Sequence, residues 1–161
     1  MADGLTVELR AAEPGDAEFL YRVFASTRAE ELAAVPWPDD AKEAFLRMQF
    51  AAQDRWYHER MPDATYEVVV VGGHRAGRLY VDRREDEILI VDIALLPEQR
   101  RNGIGTGLLR ELLAEADATD RRVTIHVERF NPARRLYERL GFTDAEDQGV
   151  YVLMVYANRA S

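Results

Sequence analysis

The chain has 161 residues, 47% of them hydrophobic and 31% charged, and its 21 Lys and Arg against 29 Asp and Glu give a formal charge of -8. A chain of this length buries about 68–70% of its unfolded surface, and the absence of cysteine excludes disulfides, thiolate nucleophiles and iron–sulfur clusters. The acidic balance argues against nucleic-acid binding, and no apolar run approaches the about 20 residues that cross a membrane. We expect a cytoplasmic protein with neither kind of partner.

The first third of the chain predicts one strand and two helices. Apolar and polar residues alternate over Leu5–Arg10, which is the period of a half-buried strand. Asp16 is predicted to cap a helix that runs to about Ala34, because a carboxylate there accepts hydrogen bonds from the first free amides. The prolines of Val35-Pro-Trp-Pro38 end it, and a second helix is predicted from Asp39 or Asp40 to Arg60.

The remainder predicts a meander, a helix, a strand, a helix and a final hairpin. Short turns separate the three meander strands, Tyr66–Val71, Ala76–Asp82 and Ile88–Leu96. Leucines at helical spacing reach about Ala116, and β-branched residues follow at Val123–Val127. Asn131-Pro132 predicts the start of the next helix, which Gly141 ends, and the hairpin strands are Phe142–Ala145 and Val150–Tyr156. No repeat or linker is visible, so we expect one domain over residues 1–161.

Three glycines lie within five positions, Gly103, Gly105 and Gly107, between the most apolar strand and the leucine-rich helix. Amides of such a loop, together with the positive end of the helix, can bind phosphate oxygens. A Walker loop would need a lysine and a hydroxyl where Leu108-Leu109 stand. A dinucleotide fingerprint would place its third glycine at Leu108. Neither of these two designs fits.

A third design fits. The segment Arg100-Arg101-Asn102-Gly103-Ile104-Gly105-Thr106 resembles the pyrophosphate loop of the Gcn5-related N-acetyltransferases (GNAT), whose pattern is Arg or Gln, two free positions, Gly, one free position, then Gly or Ala. Val91–Glu98 resembles the strand that holds pantetheine in this family, and Asn131–Phe142 resembles its other signature. The resemblance spans about Val68 to Tyr156. It implies an α/β (α+β) fold, with a mixed, mostly antiparallel sheet of six to seven strands flanked by about four helices.

The resemblance also implies acetyl-CoA as cosubstrate. The amides from Arg101 to Thr106 would hold its diphosphate, and Arg100 or Arg101 would add positive charge. The main chain of Ile93–Leu95 would hold the pantetheine arm at the point where the strand Ile88–Leu96 separates from the strand Val123–Val127. The implied CoA-binding set is Ile93, Ala94, Leu95, Arg100, Arg101, Asn102, Gly103, Ile104, Gly105, Thr106 and Asn131. Asn131 is equally explained as a helix cap.

Two residues are predicted to be catalytic. Tyr137 matches the tyrosine that protonates the leaving thiolate in this family, although packing in the core would also explain it. Asp92 is the one ionisable residue inside the apolar run Ile88–Leu96. Burying a carboxylate without a partner is costly, so its presence here needs an explanation. Asp92 either takes the proton of an ammonium substrate or binds that substrate. Alternatively, it pairs with a buried arginine or a strand-end amide.

Several other side chains have two possible roles or none in the site. Glu30 and Glu31 would attract a cationic amine or form a solvated surface, and Trp37 would line an acceptor pocket or cover the core. His126 lies on the polar side of its strand, and the three histidines are scattered without a His-Glu-x-x-His spacing, so we expect no metal.

The expected activity is direct acetyl transfer from acetyl-CoA to the primary amine of a small molecule or peptide. The absence of cysteine excludes an acetyl-cysteine intermediate. A non-catalytic CoA-binding domain and a nucleotide-binding domain are the alternatives. A homodimer that pairs through the strand Tyr151–Tyr156 is a further expectation.

Overall fold

The computed structural model describes residues 6–158, so Leu5 of the first predicted strand lies outside the described residues. Within this range the chain forms seven strands and four α-helices. In chain order they are β1 (Val7–Ala11), α1 (Ala17–Ala33), α2 (Asp39–Arg60), β2 (Thr65–Val71), β3 (His74–Arg83), β4 (Glu87–Leu95), α3 (Ile104–Thr119), β5 (Arg122–Glu128), α4 (Arg134–Arg139), β6 (Thr143–Gln148) and β7 (Tyr151–Tyr156). None of the helices in this range has the length and apolar composition to cross a membrane.

All seven strands belong to one sheet with the order β1-β2-β3-β4-β5-β7-β6. The β4–β5 pair is parallel, and the other neighbours are antiparallel. The predicted mixed, mostly antiparallel sheet is therefore confirmed. Strand β7 lies between β5 and β6 and is hydrogen-bonded to both. The prediction that Tyr151–Tyr156 pairs with a second copy is wrong, because neither edge of this strand is free.

Helices cover the two faces of the sheet differently. Helix α3 places Leu108, Leu109, Leu112 and Leu113 on one stripe, which is the pattern of a helix that packs against a sheet. These leucines join Val81, Ile88, Ile90 and Tyr137 in the larger core cluster. On the opposite face, α1 contributes Phe19, Leu20 and Val23 to a smaller cluster with Val68 and Leu96. Helix α2 packs on α1 through Phe50, whose ring lies 5.7 Å from that of Phe24.

Asp16 does not cap α1 in the predicted way. It closes a short 3-10 turn, Pro14–Asp16, and its side chain bonds no amide of the helix. The carboxylate instead accepts hydrogen bonds from both terminal nitrogens of Arg10 at 2.8 and 2.9 Å, from the Glu13 amide at 2.8 Å and from Arg75 at 3.1 Å. The bonds from Arg10, followed by those from Glu13 and Arg75, hold the pKa of Asp16 well below its usual range although burial acts in the opposite direction. Asp16 thus ties β1 and β3 to the start of α1.

Replacing Asp16 by Asn is expected to lower the free energy of unfolding at pH 7 by about 2 kcal/mol, because charged hydrogen bonds to a buried carboxylate are lost. The pKa of Asp16 is depressed in the folded chain, so its contribution is present above the unfolded Asp pKa of about 3.9 and is lost as the pH falls below it. Urea unfolding of both proteins at pH 7, 5 and 3 should show the difference shrinking at pH 3.

The matched control is Glu18→Gln, which removes an exposed carboxylate that pairs with Arg47 on the surface. Exposed ion pairs contribute little, so we expect a change of at most about 0.5 kcal/mol at any of these pH values. A difference between wild type and Asp16→Asn that stays constant from pH 7 to pH 3 would contradict the role of this carboxylate.

Candidate active site

The central feature of the sheet is a gap between β4 and β5. Their parallel pairing runs from Glu87 opposite Arg122 to Ile90 opposite Ile125 and then stops. On the other side of β4, Val81 pairs with Ile90 and Tyr80 with Asp92, which leaves Val91 as an extra, bulged residue. Bulges bend a strand and change its twist. The predicted separation of the two strands is confirmed, and it leaves main-chain groups of Val91–Leu95 without a strand partner on the β5 side.

A cleft of about 910 Å³ extends from this gap and is lined by β4, β5 and the surrounding helices. The predicted residues Asp92, Ile93, Asn131 and Tyr137 all line this cleft. Other lining residues are Arg28 of α1, Gln53, Trp56, Tyr57 and Arg60 of α2, and His126 and Glu128 of β5. Neither Glu30, Glu31 nor Trp37 is part of this lining. The ring of Trp37 instead lies 5.4 Å from that of Phe45.

The phosphate loop, Arg100–Thr106, lies outside the lining of the cleft and leads into α3. Gly103 has a positive φ of 76° and Arg101 one of 65°, so the backbone turns twice before α3 begins. In the described part of the chain, the amides from Arg101 to Thr106 donate to no backbone carbonyl, and the first helical bond runs from the Gly107 amide to the Gly103 oxygen. Free amides at a helix N-terminus bind anions, so the loop fits a diphosphate.

The two arginines of the phosphate loop differ in what they contact. Arg100 donates from Nε to the Leu95 carbonyl at 3.1 Å, and its amide bonds the Pro97 carbonyl. It therefore fastens the loop to the end of β4. Arg101 is exposed and has no ion pair among residues 6–158. Of the two, Arg101 has the side chain available for a phosphate.

Tyr137 lies on α4 with 6% of its surface exposed, and its ring packs against Phe142 with the centroids 5.7 Å apart. Burial, helped by the negative charge of Asp92, raises the pKa of Tyr137 to about 12. The phenol is therefore protonated at neutral pH. Tyr137 packs in the core and also lines the cleft.

Helix α4 begins later than predicted. Its first residue is Arg134, so Pro132 is not at the first helical position. The side-chain oxygen of Asn131 accepts a hydrogen bond from the Ala133 amide at 2.8 Å, within the turn that precedes the helix. Pro132 has no amide hydrogen to donate. The first regular helical hydrogen bond after this turn runs from the Tyr137 amide to the Ala133 oxygen. Asn131 thus orders the turn and lines the cleft at the same time.

Asp92 pairs with a buried arginine, one of the two explanations that its sequence position allowed. Its Oδ2 accepts a hydrogen bond from Arg78 at 2.6 Å and one from the Tyr57 hydroxyl at 3.3 Å. The Arg78 side chain is 3% exposed and also donates to Gln53 at 3.1 Å. Burial opposes the charge of Arg78, but Asp92, together with Tyr80 and Tyr57, raises the pKa of the guanidinium. Burial and the charge of Asp92 likewise raise the pKa of Tyr57.

Four residues of this region receive no functional role from the sequence alone: Tyr57, Gly77, Arg78 and His126. Arg78 and Asp92 become neighbours through the register of β3 and β4, which no local pattern records. His126 lines the cleft with its Nδ1 3.0 Å from the side-chain oxygen of Gln148. A Cβ added at Gly77 would lie 2.2 Å from the Ala94 carbonyl oxygen. A glycine within a strand pattern indicates such a close approach of two backbones, so the sequence does contain a local signal for Gly77.

Comparisons with known proteins identify a family whose fold and phosphate loop this chain shares. Residues 20–142 match the model of the Acetyltransferase (GNAT) family. A Bacillus subtilis protein, provisionally assigned as a [ribosomal protein bS18]-alanine N-acetyltransferase, is 38% identical over an alignment of 95 residues that covers 55% of this chain. The chain spans 62% of that relative, less than two thirds of its length.

Two solved structures share the fold over nearly the whole chain. The PaiA N-acetyltransferase of Thermoplasma acidophilum, in complex with coenzyme A, superposes with a TM-score of 0.72 at 17% identity and covers 94% of this chain and 99% of its own. The ribosomal-protein-S18-alanine N-acetyltransferase of Escherichia coli gives 0.63 at 21% identity, with 97% of both chains covered. The family model matches most of the chain, and the observed sheet, gap and loop are consistent with it. This chain therefore belongs to the GNAT acetyltransferase family.

Proposed function

We propose that this chain is an acetyl-CoA-dependent N-acetyltransferase that moves the acetyl group directly to a primary amine. The observation that carries the proposal is the gap between β4 and β5, which has Tyr137 and Asp92 at its sides. The free amides of the phosphate loop support it. The absence of cysteine is consistent with direct transfer, since no thiol can carry the acetyl group.

The residues present fit CoA along its length. The amides from Arg101 to Thr106 would hold the diphosphate at the start of α3, with the exposed guanidinium of Arg101 adding charge. The unpaired main chain of Ile93 and Ala94 would hold the pantetheine arm, in the way that an added strand binds a sheet edge. An amide of the same segment would face the acetyl carbonyl and stabilise negative charge on its oxygen.

Tyr137 and Asp92 would then act on opposite sides of the transfer. Acetyl-CoA supplies the activated acyl group as a thioester. Tyr137 retains its proton at neutral pH and would donate it to the leaving sulfur. Both hydrogen bonds to Asp92 among the described residues are accepted by Oδ2, so Oδ1 is available to bind the ammonium group of the acceptor. The pair with Arg78 fixes this carboxylate in position.

The acceptor that we propose to test first is the N-terminal amine of a peptide. The 38% identity to the Bacillus subtilis relative supports this choice. The aromatic side chains of Trp56, Tyr57 and Tyr151 line the cleft and would contact the peptide beyond its first residue, as aromatic residues commonly do in binding sites.

The test measures binding and turnover separately. We expect acetyl-CoA to bind in calorimetry and to raise the melting temperature, and a synthetic hexapeptide beginning with alanine to raise thiol release at least about tenfold over the rate without acceptor. The same peptide with an acetylated N-terminus is the control and should give no increase. Spermidine and a peptide with lysine as its only amine complete the panel.

Each result has a distinct meaning. If acetyl-CoA neither binds nor stabilises the protein, the proposed function is wrong. If acetyl-CoA binds but no amine of the panel raises thiol release, the chain is a non-catalytic CoA-binding domain. If spermidine or the lysine peptide is the acceptor and the alanine peptide is not, acetyl transfer stands and the N-terminal acceptor is wrong.

A further inference from the structure

His126 lies on the face of the sheet that α1 and α2 cover, beside the gap between β4 and β5. Its neighbours on β5, Ile125 and Val127, are 6% and 3% exposed and belong to the core beneath α3. His126 points to the opposite face, is exposed, and lines the cleft together with residues of α1 and α2. Asp92 lines the same cleft from β4. The two side chains therefore line one cleft beside the gap, where the acceptor amine would meet the main chain of β4.

The imidazole of His126 is held in one orientation. Its Nδ1 lies 3.0 Å from the side-chain oxygen of Gln148 on β6. With the amide oxygen of Gln148 facing the ring, this contact requires the tautomer in which Nδ1 carries the proton and Nε2 has the free lone pair. A hydrogen bond to one ring nitrogen is the usual way in which proteins select the reactive nitrogen of a histidine. His126 and Gln148 both line the cleft, so this pair of side chains belongs to the site.

The other charged groups described in the cleft have partners, although Oδ1 of Asp92 is available for the ammonium group. Asp92 accepts hydrogen bonds from Arg78 and Tyr57, and Glu128 on β5 lies 3.8 Å from Arg28 of α1. Arg84 pairs with Asp82 and Glu87. On α2, the Arg60 guanidinium lies 5.1 Å from the centre of the Trp56 ring.

The tyrosines of the cleft are poor proton acceptors. Tyr57 and Tyr137 both have raised pKa values because they are buried near Asp92. Tyr151 on β7 is a phenol as well, and a neutral phenol gives a proton more readily than it takes one. A neutral imidazole has a lone pair on one ring nitrogen and can accept a proton there. Among the side chains described in the cleft, His126 is thus the group suited to accept a proton from an ammonium ion.

We infer that His126 is the general base of the reaction, an assignment that rests on the proposed function. Nε2 takes one proton from the acceptor ammonium, and the freed lone pair forms the C–N bond to the acetyl carbon while the C–S bond breaks. The thiolate receives the proton of Tyr137. The second nitrogen proton, lost as the amide forms, restores Tyr137, and the imidazolium releases its proton to solvent. Asp92 binds the ammonium and does not take its proton.

The experiment compares wild type with His126→Gln and His126→Ala, using acetyl-CoA and the alanine hexapeptide. At pH 7 we expect His126→Gln to lower kcat/KM by about 100-fold, with the acetyl-CoA Kd from calorimetry unchanged. The deficit should narrow above pH 8, because α-amines with a pKa of about 7.7–8.0 then lose the proton unaided. Added imidazole should restore part of the activity of His126→Ala and leave wild type unaffected.

The matched control is His74→Gln, the same substitution at an exposed histidine that begins β3 and lies outside the cleft lining. It should retain wild-type kcat/KM at every pH. Wild type that releases no thiol with any amine overturns the proposed function, and this inference with it. Active wild type with His126→Gln within twofold of it overturns the inference alone. A loss that neither high pH nor imidazole relieves also overturns it, because a purely structural role has that result.

Discussion

Replacing Tyr137 by Phe is expected to lower kcat by about 100-fold to 10,000-fold, the range over which a positioned acid or base contributes. The ring that packs 5.7 Å from Phe142 is retained, so the core and the cleft keep their shape. What is lost is the proton, which the leaving thiolate must then obtain from water. Thiol release at saturating substrates measures kcat, and calorimetry should give an unchanged Kd for acetyl-CoA.

The control for this variant is Tyr21→Phe, which removes a hydroxyl from another buried tyrosine. Tyr21 lies on α1, packs its ring against Phe50 and is not part of the cleft lining. Its variant should have wild-type kcat. If Tyr137→Phe also turns over at the wild-type rate, Tyr137 is a packing residue and the acid must be another group or water.

Replacing Gly77 by Ala is expected to lower the free energy of unfolding by about 3 kcal/mol, the upper part of the range for overpacking. The new Cβ would lie 2.2 Å from the Ala94 oxygen and 2.9 Å from the Leu95 Cα, and both are backbone atoms that cannot rotate away. Strand β4 must therefore move away from β3, towards the gap. Because Ile93 and Ala94 belong to the displaced segment, we also expect about tenfold weaker acetyl-CoA binding, or 1.4 kcal/mol.

Denaturant unfolding and calorimetry test the two effects separately. Gly15→Ala is the control, since a Cβ at Gly15 meets nothing within 4 Å and the position has no positive φ. It should be neutral, or stabilise by about 0.4–1 kcal/mol through the unfolded state. A Gly77→Ala protein as stable as wild type would show that β3 and β4 can separate at little cost. Normal CoA binding by a destabilised variant would show that the β4 main chain does not position the cofactor.

The helices and strands were predictable because their signals are local. Proline on both sides of Trp37 separates two helices whose observed ranges, Ala17–Ala33 and Asp39–Arg60, agree closely with the predicted ones. Strand order carries no such signal. Strand β7 inserts between β5 and β6, and alternation within Tyr151–Tyr156 indicates which residues share a face but not which strands lie alongside. The prediction that this strand pairs with a second copy is wrong for this reason.

The parts of the site that a short, continuous sequence motif forms were predictable. Free amides in the loop follow from its glycines and from the start of a helix, both of which are local. Contacts between distant segments were not predictable: Asp16 binds Arg75, 59 residues away, in place of the helix, and Asp92 meets Arg78 only through the β3–β4 register. His126 was correctly placed on a polar face, but its importance depends on the separation of β5 from β4 beside it.

The short parallel ladder between β4 and β5 also has a mechanical consequence. The sheet order is linear, so these four residue pairs, Glu87–Ile90 with Arg122–Ile125, are the backbone seam that joins β1–β4 to β5–β7. Helix α3 packs on both β4 and β5 and spans the seam on one side. The cleft is lined by β4 and by β5, so a ligand that fills it would contact both halves and support the sheet on the other side. Occupancy of the cleft should therefore slow amide hydrogen exchange along this ladder and stiffen the molecule as a whole.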